Sequence, residues 1–390
     1  MSEDLRIKRL SVRQYKWRAR ELGADYNGFN HIYLKGSTAE QVGYVFTIET
    51  EAGITGEYVG GNGVSYAQVA MVAHYLIGRN ALERELIWND LKRALRKQDR
   101  FGMAPIDVAL WDIAGKAAGL PIYALLGGWR KRLPAYASTY HGDDNGGLDS
   151  PEAFGDFALQ CKEMGYPAFK IHGWGNGPIE REVATVLQTR KAVGNSMDLM
   201  IDPACEYETW ADALKVGRAC DEAGYFWLED PYKDGGQSAF AHKKLRQIIK
   251  TPILLGEHVR GMELRVDQII AEGTDYVRAD VDYDGGITGV MKLAHVAEGF
   301  GLACEIHAPG PAPRHCMASI RNTNYYELGL VHPKVPGAST QCHIFADGYS
   351  DDLDGVDANG CVAVPEGSGL GVSIDWDWLR KHETGQTVYE

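Results

Sequence analysis

Between residues 168 and 327 the chain carries seven apolar segments, each ending in a residue that can do chemistry. They are Ala168–His172, which contains Lys170, then Leu199–Asp202, Phe226–Glu229, Ile253–Glu257, Tyr276–Asp280, Ala303–His307 and Tyr325–Glu327. Counted from Lys170, successive terminal residues lie 20 to 32 positions apart. One strand, one helix and two loops occupy about that length. Parallel strands repeated at this spacing close into a (β/α)8 barrel, which gathers its chemistry at the strand C-terminal ends. Here those ends carry a basic pair, three acids, an Asp and a His, and a further acid.

At 390 residues the chain is too long for one small core, and two domains are expected. A net charge of −13 argues against nucleic acid or an anionic membrane as partner, although a bound metal can still reverse the local field for an anionic substrate. No apolar run reaches the roughly 18 residues of a membrane span, and the start, Met1 to Arg6, lacks the apolar core of a signal peptide. The seven cysteines show no C-x-x-C spacing, so neither a disulfide framework nor a thiolate zinc site is indicated. The expectation is a cytoplasmic protein with reduced thiols, assembled as a homo-oligomer.

Residues 5–18 and 43–58 have strand character, with turn chemistry at Ala52–Gly56. Apolar spacing predicts helices over 66–98 and 104–118, so the first part reads as α+β. The barrel pattern starts near Leu133, and Ser150-Pro151-Glu152 opens a helix with a cap, a first-position proline and an early acid. Gly165, Gly194, Gly224 and Gly273 stand where a left-handed helix cap favours glycine. Past about residue 345 the β/α rhythm stops. The expected division is 1–130, 131–345 as the barrel, and 346–390.

Any one of Asp202, Glu229 and Glu257 alone reads as a solvated loop acid. Three on consecutive strand ends would repel strongly unless a cation sat among them. All-oxygen ligation suits a hard ion, so Mg²⁺ fits better than zinc. Asp280 and His307 follow on the next two strands, where a carboxylate on one imidazole nitrogen fixes the tautomer and raises the basicity of the other. Lys170 and His172 share a strand face. Lys170 could bind a substrate carboxylate or act as a base, and His172 could be a base, a hydrogen-bond donor or a packed residue. Glu327, at the last strand end, could bond substrate or be a plain surface acid.

The stretch Pro105–Lys116, followed by Leu125-Leu126-Gly127-Gly128, resembles the enolase superfamily, mandelate racemase subgroup. So do Trp227–Pro231, Gly256-Glu257, and Asp280 five residues before Gly285-Gly286-Ile287-Thr288. The resemblance covers nearly the whole chain. It implies an α+β capping domain built from both termini, Mg²⁺ on Asp202, Glu229 and Glu257, an Asp280–His307 dyad, and Glu327 near the substrate carboxylate. It also implies abstraction of the proton α to a carboxylate, giving a metal-stabilised enediolate. Three positions depart from the subgroup pattern: His172 replaces the second lysine of Lys-x-Lys, Ala204 an asparagine, and Tyr283 a basic residue.

Racemisation needs bases on both faces, whereas dehydration needs one base and an acid for the leaving hydroxyl, and His307 could serve as both in turn. Acid-sugar dehydratases are also frequent in the subgroup the chain resembles, so the resemblance makes dehydration of a hydroxy acid or acid sugar to a 2-keto-3-deoxy acid the leading expectation. A racemase or epimerase of a 2-hydroxy or amino acid derivative comes second, and a non-catalytic metal-binding barrel third. The substrate is expected to be a small carboxylate. Its identity is expected to depend on the segment Asp25–His31 with Tyr26 and His31, the loop Gly60–Gly63, and Tyr140, His141, Trp174 and Arg260, some of them on lid-like segments.

Overall fold

Two long antiparallel strands, β1 (Ile7–Ala24) and β2 (His31–Thr50), open the computed structural model, which describes residues 4–335, 337 and 344–390. Strand β3 (Thr55–Val59) returns along β2 after a turn at Gly53, whose φ of 80° is left-handed. Both strand regions run longer than the sequence pattern indicates. The missed part, residues 31–42, is largely exposed and polar, so no apolar alternation marks it. Helices α1 (Gly63–Leu76), α2 (Arg84–Ala94) and α3 (Met103–Ala118) follow. The single helix expected over 66–98 is two, and Gly78 at φ 79° lies in the break.

Eight parallel strands then form the barrel. They are β4 (Arg132–His141), β5 (Ala168–His172), β6 (Asp198–Ile201), β7 (Trp227–Glu229), β8 (Ile253–Leu255), β9 (Tyr276–Asp280), β10 (Ala303–His307) and β11 (Tyr326–Val331). Each pairs in parallel with the next from β4 to β10, and β11 pairs with β4 on its other side. No ladder joins β10 to β11 among the described residues. Side chains and a loop bond close that seam: the Glu305 carboxylate accepts from the Asn324 backbone at 3.2 Å and its side-chain amide at 2.6 Å, and Cys304 N–H donates to the Asn322 carbonyl.

Tyr136, Ala168, Met200, Trp227 and Leu254 plug the N-terminal end of the barrel with an apolar layer. After three of the helices the expected glycines take positive φ, Gly224 as a left-handed cap, Gly165 at 101° and Gly194 at 67° with ψ −154°. Gly273 does not. The left-handed residue there is Glu272, φ 60°, because the chain turns one residue earlier and Gly273 N–H caps back onto the Gln268 carbonyl.

The two ends of the chain meet. Strand β12 (Cys361–Ala363) runs antiparallel to β4, and β13 (Glu383–Tyr389) pairs with β1 from Leu10↔Tyr389 onward. Helix α3 holds the pieces together. Asp107 accepts from the hydroxyl and the N–H of Thr288 at 2.6 and 2.9 Å, at the start of the barrel helix Gly286–Gly299. Gly286 is required there, since a Cβ would sit 2.4 Å from the Asp107 carboxylate. Asp112 accepts from the N–H groups of Leu370 in the tail and Glu57 in β3. The sequence motif around Pro105–Lys116 is thus the joint between cap, barrel and tail.

Candidate active site

Above the apolar plug lies an ionic layer. Lys170, wholly buried, points inward from β5 and pairs with Asp202 (3.2 Å), Glu229 (3.0 Å) and Glu327 (3.0 Å). Arg278, also wholly buried, pairs with Glu229 (2.8 Å) and Glu327 (3.1 Å) and donates to the Tyr136 hydroxyl. Burial opposes the charge on Lys170, but Glu229 and Glu327 outweigh it and hold the ammonium charged far above its usual range. Burial likewise works against Glu327, and Lys170 and Arg278 overcome it and keep the carboxyl ionised. Lys170 is thus the counter-charge shared by three carboxylates.

At the mouth, the carboxylate oxygens of Asp202, Glu229 and Glu257 approach within 4.8 Å of one another. Asp202 lies just past β6, Glu229 is the last residue of β7, and Glu257 follows β8 by two residues. Together with Glu327 they make four carboxylates against two fixed cations, which leaves two negative charges, the complement of one divalent ion. An all-oxygen set with that deficit fits a hard cation.

His307 ends β10 in register with Asp280, which ends β9. Its Nδ1 meets the Asp280 carboxylate in a short contact, and Nε2 points to the mouth, 3.4 Å from Glu257. Burial lowers the basicity of His307, but Glu257 and Asp280 together push its pKa up to about 10. On the other side, His172 Nδ1 donates to the Thr139 carbonyl (2.8 Å), since a carbonyl can only accept, and Nε2 faces Asp202 at 3.2 Å. His141 lies against His172, tilted by 39° at 4.7 Å between ring centres, and is held neutral by burial and by that neighbour.

A cavity of about 950 Å³ opens over these groups, lined by His141, His172, Asp202, Glu257, His307 and Glu327 from the barrel. Asn27, Phe29 and Asn30, and Gly60 with Gly61, line it from the cap. The segment over 25–31 is tied to the loop after Asp202 through Glu206, which accepts from Tyr26 (3.1 Å), Asn30 (3.2 Å) and Asn27 (3.4 Å). Tyr58 donates to Asp282 at 2.6 Å, and burial with the Asp280 charge pushes Asp282 up to about 6.

Several expected residues stand elsewhere. Glu327 is the second residue of β11, not its end. The register Glu327↔Tyr136 aims it into the ionic layer, where Ser138 donates to it at 2.9 Å. Lys170 sits below the cavity lining. Tyr26 and His31 are on the lid segment but outside the lining, with Tyr26 56% exposed. Tyr140 is buried against His332, and Trp174 is buried under Arg181, its indole N–H donated to the Asp143 carbonyl. Arg260 lies over the Tyr283 ring at 4.4 Å and bonds the Glu257 carbonyl, outside the cavity lining. Ala204, where the subgroup pattern has Asn, takes φ 50°, a conformation asparagine tolerates better, and its N–H donates to Asp202. Arg278 went unnoticed in the sequence, although a charge at the centre of an apolar strand, two residues before Asp280, was its signal.

An α+β cap over an acid-mouthed (β/α)8 barrel defines the class, and sequence comparison agrees. Residues 32–127 match the mandelate racemase / muconate lactonizing enzyme N-terminal domain, and residues 153–378 match the family described as enolase C-terminal domain-like. The chain belongs to the enolase superfamily, as a mandelate racemase/muconate lactonizing enzyme-like member. It is 31% identical to a D-mannonate dehydratase of Caulobacter vibrioides over 86% of this chain and 90% of that protein. It is 30% identical to a D-galactarolactone cycloisomerase of Agrobacterium fabrum over 84% and 86% of the two chains. The crystal structure of a D-glucarate dehydratase from Agrobacterium tumefaciens complexed with magnesium superposes with a TM-score of 0.88 at 30% identity, covering 98% of this chain and all of that one. No helix among the described residues is long and apolar enough to cross a membrane.

Proposed function

We propose that the protein is a Mg²⁺-dependent acid-sugar dehydratase, a lyase that removes the proton α to a carboxylate and expels the β-hydroxyl to leave a 2-keto-3-deoxy acid. The observation that carries this reading is His307, its Nδ1 held by Asp280 and its Nε2 turned to the mouth where Asp202, Glu229 and Glu257 converge. These three residues would hold the ion, which when bound withdraws charge from the substrate carboxylate and stabilises the enediolate. His307 Nε2, neutral once a bound cation offsets the Glu257 charge that raises its pKa, would take the α-proton. The resulting imidazolium is stabilised by Asp280 and returns the proton to the departing hydroxyl, so that the C–H and C–O bonds break, water leaves and an enol remains to tautomerise to the keto acid. Lys170 and Arg278 hold the ligand carboxylates in place. His172, with Nδ1 fixed on Thr139, presents Nε2 beside Asp202 at the cavity wall as a positioning group.

A cycloisomerase among the relatives makes isomerisation without loss of water the second reading, alongside racemisation. Incubating hexonate, pentonate and hexarate acid sugars with Mg²⁺ in deuterated water separates them. Dehydration yields a keto acid that has lost one water, whereas an isomerase product keeps the substrate's composition apart from incorporated deuterium. Under the dehydratase reading His172→Asn slows turnover yet leaves α-proton exchange. Exchange lost for one stereoisomer alone, with inverted substrate as product, would replace dehydration by a two-base reaction.

A further inference from the structure

Directly beyond each of the three mouth acids stands a second donor. Cys205 follows Asp202 by three residues, Asp230 follows Glu229, and His258 follows Glu257. The loops after β6, β7 and β8 thus present two tiers of ligands, the first all carboxylate and the second one thiol, one carboxylate and one imidazole. The ligand atoms of the second tier lie within 4.8 Å of one another. Tetrahedral zinc, about 2.3 Å from sulfur and 2.1 Å from nitrogen, spaces its donors by roughly 3.5 Å, inside that limit.

A separate observation concerns Asp230. Asp230 is only 1% exposed, and neither of its carboxylate oxygens has a hydrogen-bond partner. Buried carboxylates elsewhere in the chain, such as Asp107 and Asp112, accept bonds on both oxygens. The charged groups acting on Asp230 are chiefly acids, Glu257, Glu229 and Asp202. Such a group is costly to bury unless a cation or a donor meets it. Gly236 packs against Asp230, where a Cβ would sit 3.0 Å from its carboxylate. Cys205 and His258 line the large cavity.

We propose that Cys205, Asp230 and His258 form a second cation site, distinct from the all-oxygen triad and selective for a zinc-class transition ion. A mixed sulfur, nitrogen and oxygen set discriminates against Mg²⁺, which wants oxygen alone. Three protein donors leave one position of a tetrahedron, and with Cys205 and His258 on the cavity wall that position opens to the cavity, where a water or a substrate hydroxyl can take it. The site rests on donor geometry and stands independently of the dehydratase reading.

The test is a spectroscopic titration of the full chain, freed of metal and then saturated with Mg²⁺, using Co²⁺ as probe. One Co²⁺ per chain should bind with a thiolate-to-cobalt charge-transfer band and the intense visible bands of a tetrahedral ion, and Zn²⁺ should displace it while excess Mg²⁺ does not. Cys205→Ser should abolish the charge-transfer band. Asp230→Asn and His258→Gln should weaken Co²⁺ binding by roughly tenfold or more. His258 is partly exposed, so its variant keeps the test open should the Asp230 variant fail to fold. Absence of the charge-transfer band would overturn the site. So would Co²⁺ that Mg²⁺ displaces and that binds Cys205→Ser as it binds the parent, since the triad alone would then explain the binding.

Discussion

Helix α3 and the barrel mouth both bury carboxylates, and they hold them by opposite means. Asp107 and Asp112 face backbone N–H groups and a hydroxyl, with one partly exposed lysine, Lys116, beside Asp112. Asp202, Glu229 and Glu327 face Lys170 and Arg278, and with Glu257 the set carries two more negative charges than those two cations supply. At these two places the acids bonded chiefly to backbone N–H groups join elements, while those facing Lys170 and Arg278 lie at the candidate site. Both kinds lie in stretches that resemble the same family, so the motif alone does not tell the joint from the site.

The contrast can be broken most forcefully at the triad. Asp202→Asn or Glu257→Gln should reduce turnover about a thousandfold or more, since the stabilisation lost is several kcal/mol, and the folded circular dichroism spectrum should be retained. Parent-like turnover in metal-depleted buffer would remove the metal from the mechanism. His307→Asn should cost roughly 10²–10⁴ in rate and stop α-proton exchange into solvent deuterium. A variant that still exchanges would put the base elsewhere.

Lys170→Met sharpens the comparison from the other side. It leaves three buried carboxylates short of a charge, so unfolding stability should fall by about 3–5 kcal/mol, with Mg²⁺ recovering part of the loss. If stability is unchanged, the ionic layer is not what holds those acids. The smallest effects belong to the joint. Asp107→Ala should cost about 2–3 kcal/mol while turnover per folded molecule stays within about twofold of the parent, because no joint group touches the cavity.

The joint also has a pH signature. Burial pushes Asp107 up to about 7, against the bonds from Thr288, from an ordinary value of 3.8. A carboxyl whose folded pKa is raised takes up its proton more readily folded than unfolded. Its favourable contribution is complete below the ordinary pKa and is lost as pH rises towards about 7. Parent stability relative to Asp107→Asn should therefore decline between about pH 4 and pH 7, as read from denaturant midpoints. A flat difference would mean that Asp107 does not titrate in that window.

Much of the barrel was legible because each strand is an apolar run ended by a charge, and inward alternation placed Lys170 with His172. The triad and the dyad followed from the same rhythm. Glu327 was misplaced within its strand because β11 runs on through Gly329–Val331, and only its register with β4 fixes where the side chain points. Residues 31–42 were invisible as strand, being stabilised by pairing with β1 rather than by burial. The Cys205, Asp230 and His258 cluster is silent in sequence for another reason. Its members are spread over three strand ends, and the absence of C-x-x-C excludes only sites whose ligands are neighbours in the chain.

The joint at α3 also governs how the protein can be taken apart. Asp107 caps a barrel helix and Asp112 ties β3 to the tail, while the tail's β13 completes the edge of β1. The cap is therefore not a cassette that a single cut releases. Exchanging it for a relative's cap, to carry over a different specificity, means moving both chain ends together and matching Thr288 and Gly286 on the recipient barrel. A chimera joined only near residue 130 would inherit a cap whose fastening points remain behind.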